Sequence, residues 1–171
     1  DIGQAGLSLK QKQKIIDKLL TYGKVFITTE REIEPELQKY QLEVSSENIH
    51  HVLYYAKMFI GDSQTMTTES AILGTPALKC NSFAGRLSVP NKLEEKYKLC
   101  FSFQPHNFAG FMSKLDELLA VPDIKSVWRK RRNVLFQDKI DVTAFLVWFI
   151  ENYPESAKIM KENPDYQYNF K

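Results

Sequence analysis

Cysteine and histidine are scarce in this chain, charge is nearly balanced, and a long apolar run is missing. Only two cysteines, Cys80 and Cys100, occur in 171 residues. That argues against a small disulfide-stapled fold and leaves stability to a hydrophobic core. Neither cysteine belongs to a Cys-x-x-Cys element, and neither pairs at metal-ligand spacing with the three histidines. Both read as small buried hydrophobes in a reduced, cytoplasmic setting, and no metal is implied. The longest apolar stretch, Ala144 to Ile150, falls well short of a bilayer span. A net charge of +2 gives no whole-molecule field that would call for nucleic acid as a partner. No charged-then-apolar leader opens the chain, and there is no internal repeat or low-complexity tract. The first residue is Asp1 rather than Met, and a helix-start signal follows within a few residues. We therefore expect a piece cut from a longer protein, with polypeptide before it; processing of a precursor is the rival explanation.

What is present is an ordinary globular composition, 43% hydrophobic and 26% charged, at a length that fills one compact domain. Ser8 and Gln11 form a capping box, Ile15, Ile16, Leu19 and Leu20 make an apolar stripe, and Gly23 closes a first helix. Lys24 to Thr29 reads as a strand. Glu30 to Gln41, with Pro35, reads as a loop with at most one helical turn, followed by a short extended Leu42 to Val44. Ser46 caps a helix with Ile49, Leu53 and Ala56 on one face, leading into a strand over Met58 to Gly61. A helix over about Thr65 to Leu73 ends at Gly74 before Pro76, and a strand over Ala77 to Cys80 follows. A charged helix near Lys92 to Tyr97, a strand over Leu99 to Phe103 and an Asn107-capped helix come next. Helices over Asp123 to Asp138 and Val142 to Tyr153 complete the series. Such alternation predicts an α/β fold, a Rossmann-like open parallel sheet with helices on both faces, over 1–153, its first strand lost to truncation. Residues 154–171 are expected as a polar, aromatic tail.

In such sheets ligands bind at the carboxyl ends of strands, so the strand-to-helix junctions are the informative positions. One is distinctive. Gly61-Asp-Ser-Gln-Thr-Met-Thr-Thr-Glu69 collects small hydroxyl residues at a helix N-terminus, where free N–H groups and the helix dipole favour an anion. Ser63 and Thr65 can add donors, which suits a phosphate or diphosphate. The plain alternative is that Asp62, Ser63 and Thr65 only cap the helix, and the local pattern by itself favours capping. The junction is neither a P-loop nor a GxGxxG fingerprint. Glu69, one turn into the helix, can accept two hydrogen bonds from a vicinal diol such as ribose; alternatively it only complements the dipole. Arg86 can reach a phosphate bidentately, or stand as a solvated surface arginine. Trp128 to Arg132 is a basic run that reads first as a solvated face and second as a weak attraction to an anionic bilayer. The helix over Ala144 to Ile150 is apolar nearly all round and must be covered by something.

The segment from Tyr54 to Ala77, including Gly61-Asp-Ser-Gln-Thr-Met-Thr-Thr-Glu-Ser-Ala-Ile-Leu-Gly-Thr-Pro76, resembles the donor-site signature of GT-B proteins. It is nearest to an uncharacterised bacterial and archaeal GT-B-like family. More distantly it is similar to UDP-N-acetylglucosamine 2-epimerases and peptidoglycan N-acetylglucosaminyltransferases. The resemblance implies the C-terminal half of a GT-B fold, binding a nucleotide-diphosphate sugar, UDP-linked by analogy, for surface polysaccharide or glycan biosynthesis. Ser63 with the backbone of Gln64 and Thr65 would hold the diphosphate, and Glu69 would bind the ribose; Arg86, outside the matching segment, would join the diphosphate from its own loop. Ile49 and His50 would lie near the base. Gln64 stands where the epimerase-like motif has glycine, so a side-chain amide contact would replace the close backbone approach. The absent N-terminal domain would be the partner, so the expectation is an incomplete enzyme with no catalytic residue to name here and no cofactor. Its place would be the cytoplasm, at most at the inner face of the membrane. The alternatives are a non-catalytic GT-B-fold binding or assembly module and, last, a regulatory α/β domain, which lacks the acidic cluster it needs.

Overall fold

A computed structural model describes residues 5–29 and 32–171. Asp1 and the start of the loop expected from Glu30 lie outside the described residues. The chain divides into two compact units, one ending at Arg131 and the other running Arg132–Lys171.

The first unit is mixed α/β. Three strands, β1 (Phe59–Gly61), β2 (Ala77–Cys80) and β3 (Cys100–Phe103), form a parallel sheet in the order β1-β2-β3. Four helices frame it: α2 (Ile49–Tyr55) before β1, α3 (Gln64–Leu73) between β1 and β2, α4 (Ser88–Glu95) between β2 and β3, and α5 (Phe108–Leu119) after β3. Ahead of them lies α1 (Leu9–Leu20).

Side-chain alternation shows that both faces of the sheet are covered. The register sets Ala77 beside Cys100 and Lys79 beside Ser102. On that face the Cys100 thiol meets the Pro90 carbonyl of α4 at 3.6 Å, and Lys79 bonds Gln64 of α3. Leu78, Cys80, Phe101 and Phe103 take the other face. There Phe103 packs edge-on to Phe111 of α5, and Phe101 edge-on to Trp128 of α6 (Ile124–Asp138). Two covered faces require strands without polar alternation, and every residue of β2 is buried. Leu78, Leu99, Phe111 and Leu115 are fully buried, each contributing about 2 kcal/mol of hydrophobic free energy. Trp128 adds a hydrogen bond from Nε1 to the Leu99 carbonyl at 2.7 Å.

Local signals worked where the chain carries its own capping groups. Ser8 and Gln11 form the capping box of α1, Asn107 accepts from Gly110 N at 3.2 Å to cap α5, and Gly74 ends α3 in the left-handed region at φ 77°. Elsewhere the structure differs. Lys24 to Thr29 makes no strand: Ile27 forms a single parallel bridge with Gln41, through bonds to Tyr40 O and from Leu42 N. Its apolar residues are used otherwise, since Val25 and Ile27 pack on a cluster of Ile16, Ile33 and Leu37, while Phe26 is 60% exposed. The loop contains a 3-10 helix over Pro35–Tyr40. Ser46 caps nothing; it lies inside a 3-10 turn that leads into α2. Gly23 is not a left-handed cap, because α1 closes at Thr21 in right-handed geometry. The charged helix starts earlier than expected, with Pro90 in its first turn, where a missing N–H costs nothing.

The second unit holds α7 (Val142–Glu151), α8 (Glu155–Glu162) and a 3-10 helix over Pro164–Phe170. The segment expected as a tail is therefore helical. Trp148 stacks on Tyr166 at 4.8 Å and meets Phe170 at 5.2 Å, and Asp141 N bonds Phe170 O at 2.5 Å. The aromatic residues at the end of the chain thus fold back on α7. Leu146, Val147 and Ile150 of α7 remain exposed. Among the described residues no helix is long and apolar enough to cross a membrane.

Candidate functional site

The β1–α3 junction lies at the carboxyl end of a strand that ends at Gly61. Ser63 is the N-cap of α3: its Oγ accepts from Met66 N at 3.3 Å, and its carbonyl accepts from Thr67 N at 3.3 Å. The capping expectation is thus realised in geometry. It does not use up the helix terminus, because the amides of Gln64 and Thr65 precede the first intrahelical acceptor. Thr67 and Thr68 turn their hydroxyls back onto the carbonyls of Ser63 and Gln64, at 2.6 and 3.1 Å. Thr65 stays exposed.

Gln64 behaves differently from the sequence expectation. Its Oε1 accepts from the ammonium of Lys79, and its Nε2 donates to Asn81 Oδ1 at 3.5 Å. The side chain is spent inside the protein, so what Gln64 keeps for a ligand is its backbone N–H. Asn81 in turn donates to the Asp62 carbonyl at 2.7 Å, accepts from Phe83 N at 3.1 Å, and gives its own N–H to Phe103 O at 3.0 Å. One fully buried asparagine therefore ties together the carboxyl ends of all three strands and fixes the turn that presents α3.

Electrostatics at the junction have two signs. The segment before α1 runs past the strand ends, where Ala5 and Ser82 exchange hydrogen bonds of 2.9 and 3.1 Å. A Cβ on Gly6 would come within 2.3 Å of Asp62 Oδ2, so the glycine lets the chain pass this carboxylate without displacing it. The Cys80 thiol is pushed up to about 11, by burial and then by Asp62. The positive side is Lys79, 1% exposed, whose pKa burial lowers from its ordinary value.

Further along α3, Glu69 stands above Thr65 at i+4, roughly 6 Å up the same helix face. Its Oε2 lies 3.2 Å from Nε2 of His50 on α2. The structure thus brings together Glu69 and His50, both accessible to solvent. Ile49 is half-buried beside His50, and His51 is exposed. Arg86 sits exposed in the β2–α4 loop, and among the described residues no hydrogen bond or ion pair joins its side chain to Ser63, Gln64, Thr65 or Glu69. A groove of about 490 Å³ lies elsewhere, lined by Lys57 and by residues from Leu119 to Lys125 at the α5–α6 connection. It includes none of these residues. Among the described residues no cluster of three or more His, Cys, Asp or Glu is arranged to hold a metal.

Sequence reasoning missed Lys79 and Asn81. The available signal was a lysine inside the otherwise apolar Ala-Leu-Lys-Cys strand, a position where charge is rare. Against known proteins, no family model, no curated protein and no solved structure matches this chain.

Proposed function

We propose that this chain is the nucleotide-diphosphate-sugar-binding half of a GT-B-type glycosyltransferase or sugar epimerase of surface polysaccharide or glycan biosynthesis. One observation carries the reading: at the carboxyl end of β1, two amides at the N-terminus of α3 have no intrahelical acceptor, and Glu69 lies one turn along the same helix face. A diphosphate would take the Gln64 and Thr65 N–H groups and the free hydroxyl proton of Ser63, with the helix dipole contributing about 1 kcal/mol. Glu69 would accept from the ribose diol once it leaves His50, and His50 with Ile49 would border the base. Arg86 would join the phosphate from its loop. Acceptor chemistry would come from the N-terminal domain of the same protein. The helix terminus does for the diphosphate what a cation does in other transferases.

Calorimetric titration of the chain with UDP, GDP, ADP and CDP tests this. One diphosphate is expected to bind selectively, with Glu69→Ala weakening it about tenfold or more, tenfold being the size of a single lost hydrogen bond to a charged group at the low end of its range. Ser63→Ala should weaken it less and cost about 1 kcal/mol of stability as a lost cap. Absence of binding to all four would sink the reading.

A second reading, a non-catalytic module of the same fold, is favoured by the engagement of the Gln64 side chain with Lys79 and Asn81, and by the Asp62 carboxylate near the terminus. Binding of a nucleotide-diphosphate sugar without turnover by the two-domain protein would select it.

A further inference from the structure

Lys79 occupies β2, the middle strand, one residue before its end, and is 1% exposed. A lysine ammonium carries three donors. Lys79 uses one of them, on the neutral Oε1 of Gln64. Among the described residues no carboxylate forms an ion pair with it. Glu94 of α4 attracts it only from a distance, and the Cys100 thiol, pushed up to about 12 by burial, stays neutral. Ser102, its register partner, keeps a buried Oγ without any partner. A buried cation of this kind is costly unless an anion completes it, and such cations concentrate at functional sites. The single bond it makes points at the first residue of α3, a ten-residue helix, next to the amides that lack an intrahelical acceptor.

We propose that Lys79 is the buried counter-cation of the α3 anion site: it lies behind the helix N-terminus, holds Gln64 so that its backbone N–H stays available, and sets the affinity for a multiply charged phosphate. The inference deepens the diphosphate reading and rests on it. In this arrangement Gln64 is a positioning residue that links the charge to the terminus, which accounts for its departure from the glycine of the similar motif.

The test is a titration of the full 171-residue chain with inorganic pyrophosphate and, separately, with inorganic phosphate. Wild type is expected to bind pyrophosphate more tightly than phosphate. Lys79→Met should weaken pyrophosphate about tenfold or more, the loss that removal of one charge-assisted contact brings, and should narrow the preference over phosphate. Lys79→Arg should restore most of it. Should the methionine variant not fold, Lys79→Gln, which keeps a group for Gln64, is expected to show the same loss. If wild type binds pyrophosphate and a folded neutral variant binds it equally well, the role of Lys79 is overturned while the diphosphate site stands. If wild type binds neither pyrophosphate nor any nucleoside diphosphate, both fall together.

Discussion

At the scale of single residues, Lys79 sets function against stability. Burial lowers its pKa from 10.5, so the unfolded chain binds more protons than the native one between the native value and 10.5. Native stability therefore rises with pH across that window, and below it the cost of the buried charge is fully present. Lys79→Met is expected to stabilise the fold at neutral pH by about 1 kcal/mol, the relieved cost of a buried charge without a counter-ion set against the Gln64 Oε1 left without its donor. The advantage over wild type should fade as pH approaches 10.5. Denaturant midpoints of the two proteins at neutral and alkaline pH measure this, and a difference that does not change with pH would contradict it. A variant that gains stability while losing pyrophosphate would be the expected trade at a functional position. Asn81 is the opposite kind of buried polar residue, with its amide satisfied on both sides, and its role is to hold three strand ends in place.

At the scale of elements, α3 is the part on which the proposed site depends, and both of its ends are chemically specified. Its start uses Ser63, and its end uses Gly74 at φ 77°. An L side chain pays for the left-handed region, so Gly74→Ala is expected to lower stability by about 1 kcal/mol. Thermal unfolding compared with an exposed control such as Ala109→Gly, a change of similar size in α5, checks the value. An effect near zero would mean that the turn before Pro76 relaxes. The strand β2 that follows is tied from outside as well. Thr75 donates to the Leu53 carbonyl at 2.8 Å, and Lys125 donates to Thr75 and to the Tyr54 carbonyl at 2.6 and 2.7 Å. These bonds anchor α2 to the turn ahead of β2, which keeps His50 and Glu69 on neighbouring helices in register. In the second unit α7 shows how an apolar helix divides its residues. Phe145, Trp148 and Phe149 enter the aromatic cluster, while Leu146 and Ile150 stay 49% and 71% exposed.

At the scale of the whole molecule, the central sheet offers its own reporter. Cys80 and Cys100 are fully buried, free, and raised to about 11 and about 12, so neither thiolate nor access is available in the native state. A thiol reagent at neutral pH is expected to label both only through opening of the sheet. The labelling rate should then rise with denaturant in parallel with unfolding. Fast labelling of either cysteine in native buffer would show that the sheet opens locally. Within the first unit both faces of the sheet are covered, which is why its strands need no polar alternation and read as short apolar runs.

What the sequence determined by itself follows from local physics. The capping box at Ser8, the Asn107 cap, the stop at Gly74 and the β-rich runs before and after it are set by groups within a few residues of one another. They fixed helix starts, strand positions and the junction at Ser63 without tertiary help. The α/β alternation, and the small-hydroxyl helix terminus with Glu69 one turn on, were legible for the same reason. Only the tertiary structure decided the rest. Lys24 to Thr29 has strand propensity but finds a single bridge, because a strand exists only where a neighbour offers a ladder. The aromatic residues after Tyr153 looked like a tail until Trp148 and Phe170 were brought together. Gln64 and Lys79 lie 15 residues apart on different elements, and His50 and Glu69 also belong to different elements, so their contacts and the burial of Lys79 depend on how helix and strand pack rather than on local pattern. Burial and charge compensation depend on which distant residues share a space, and that is settled by packing alone.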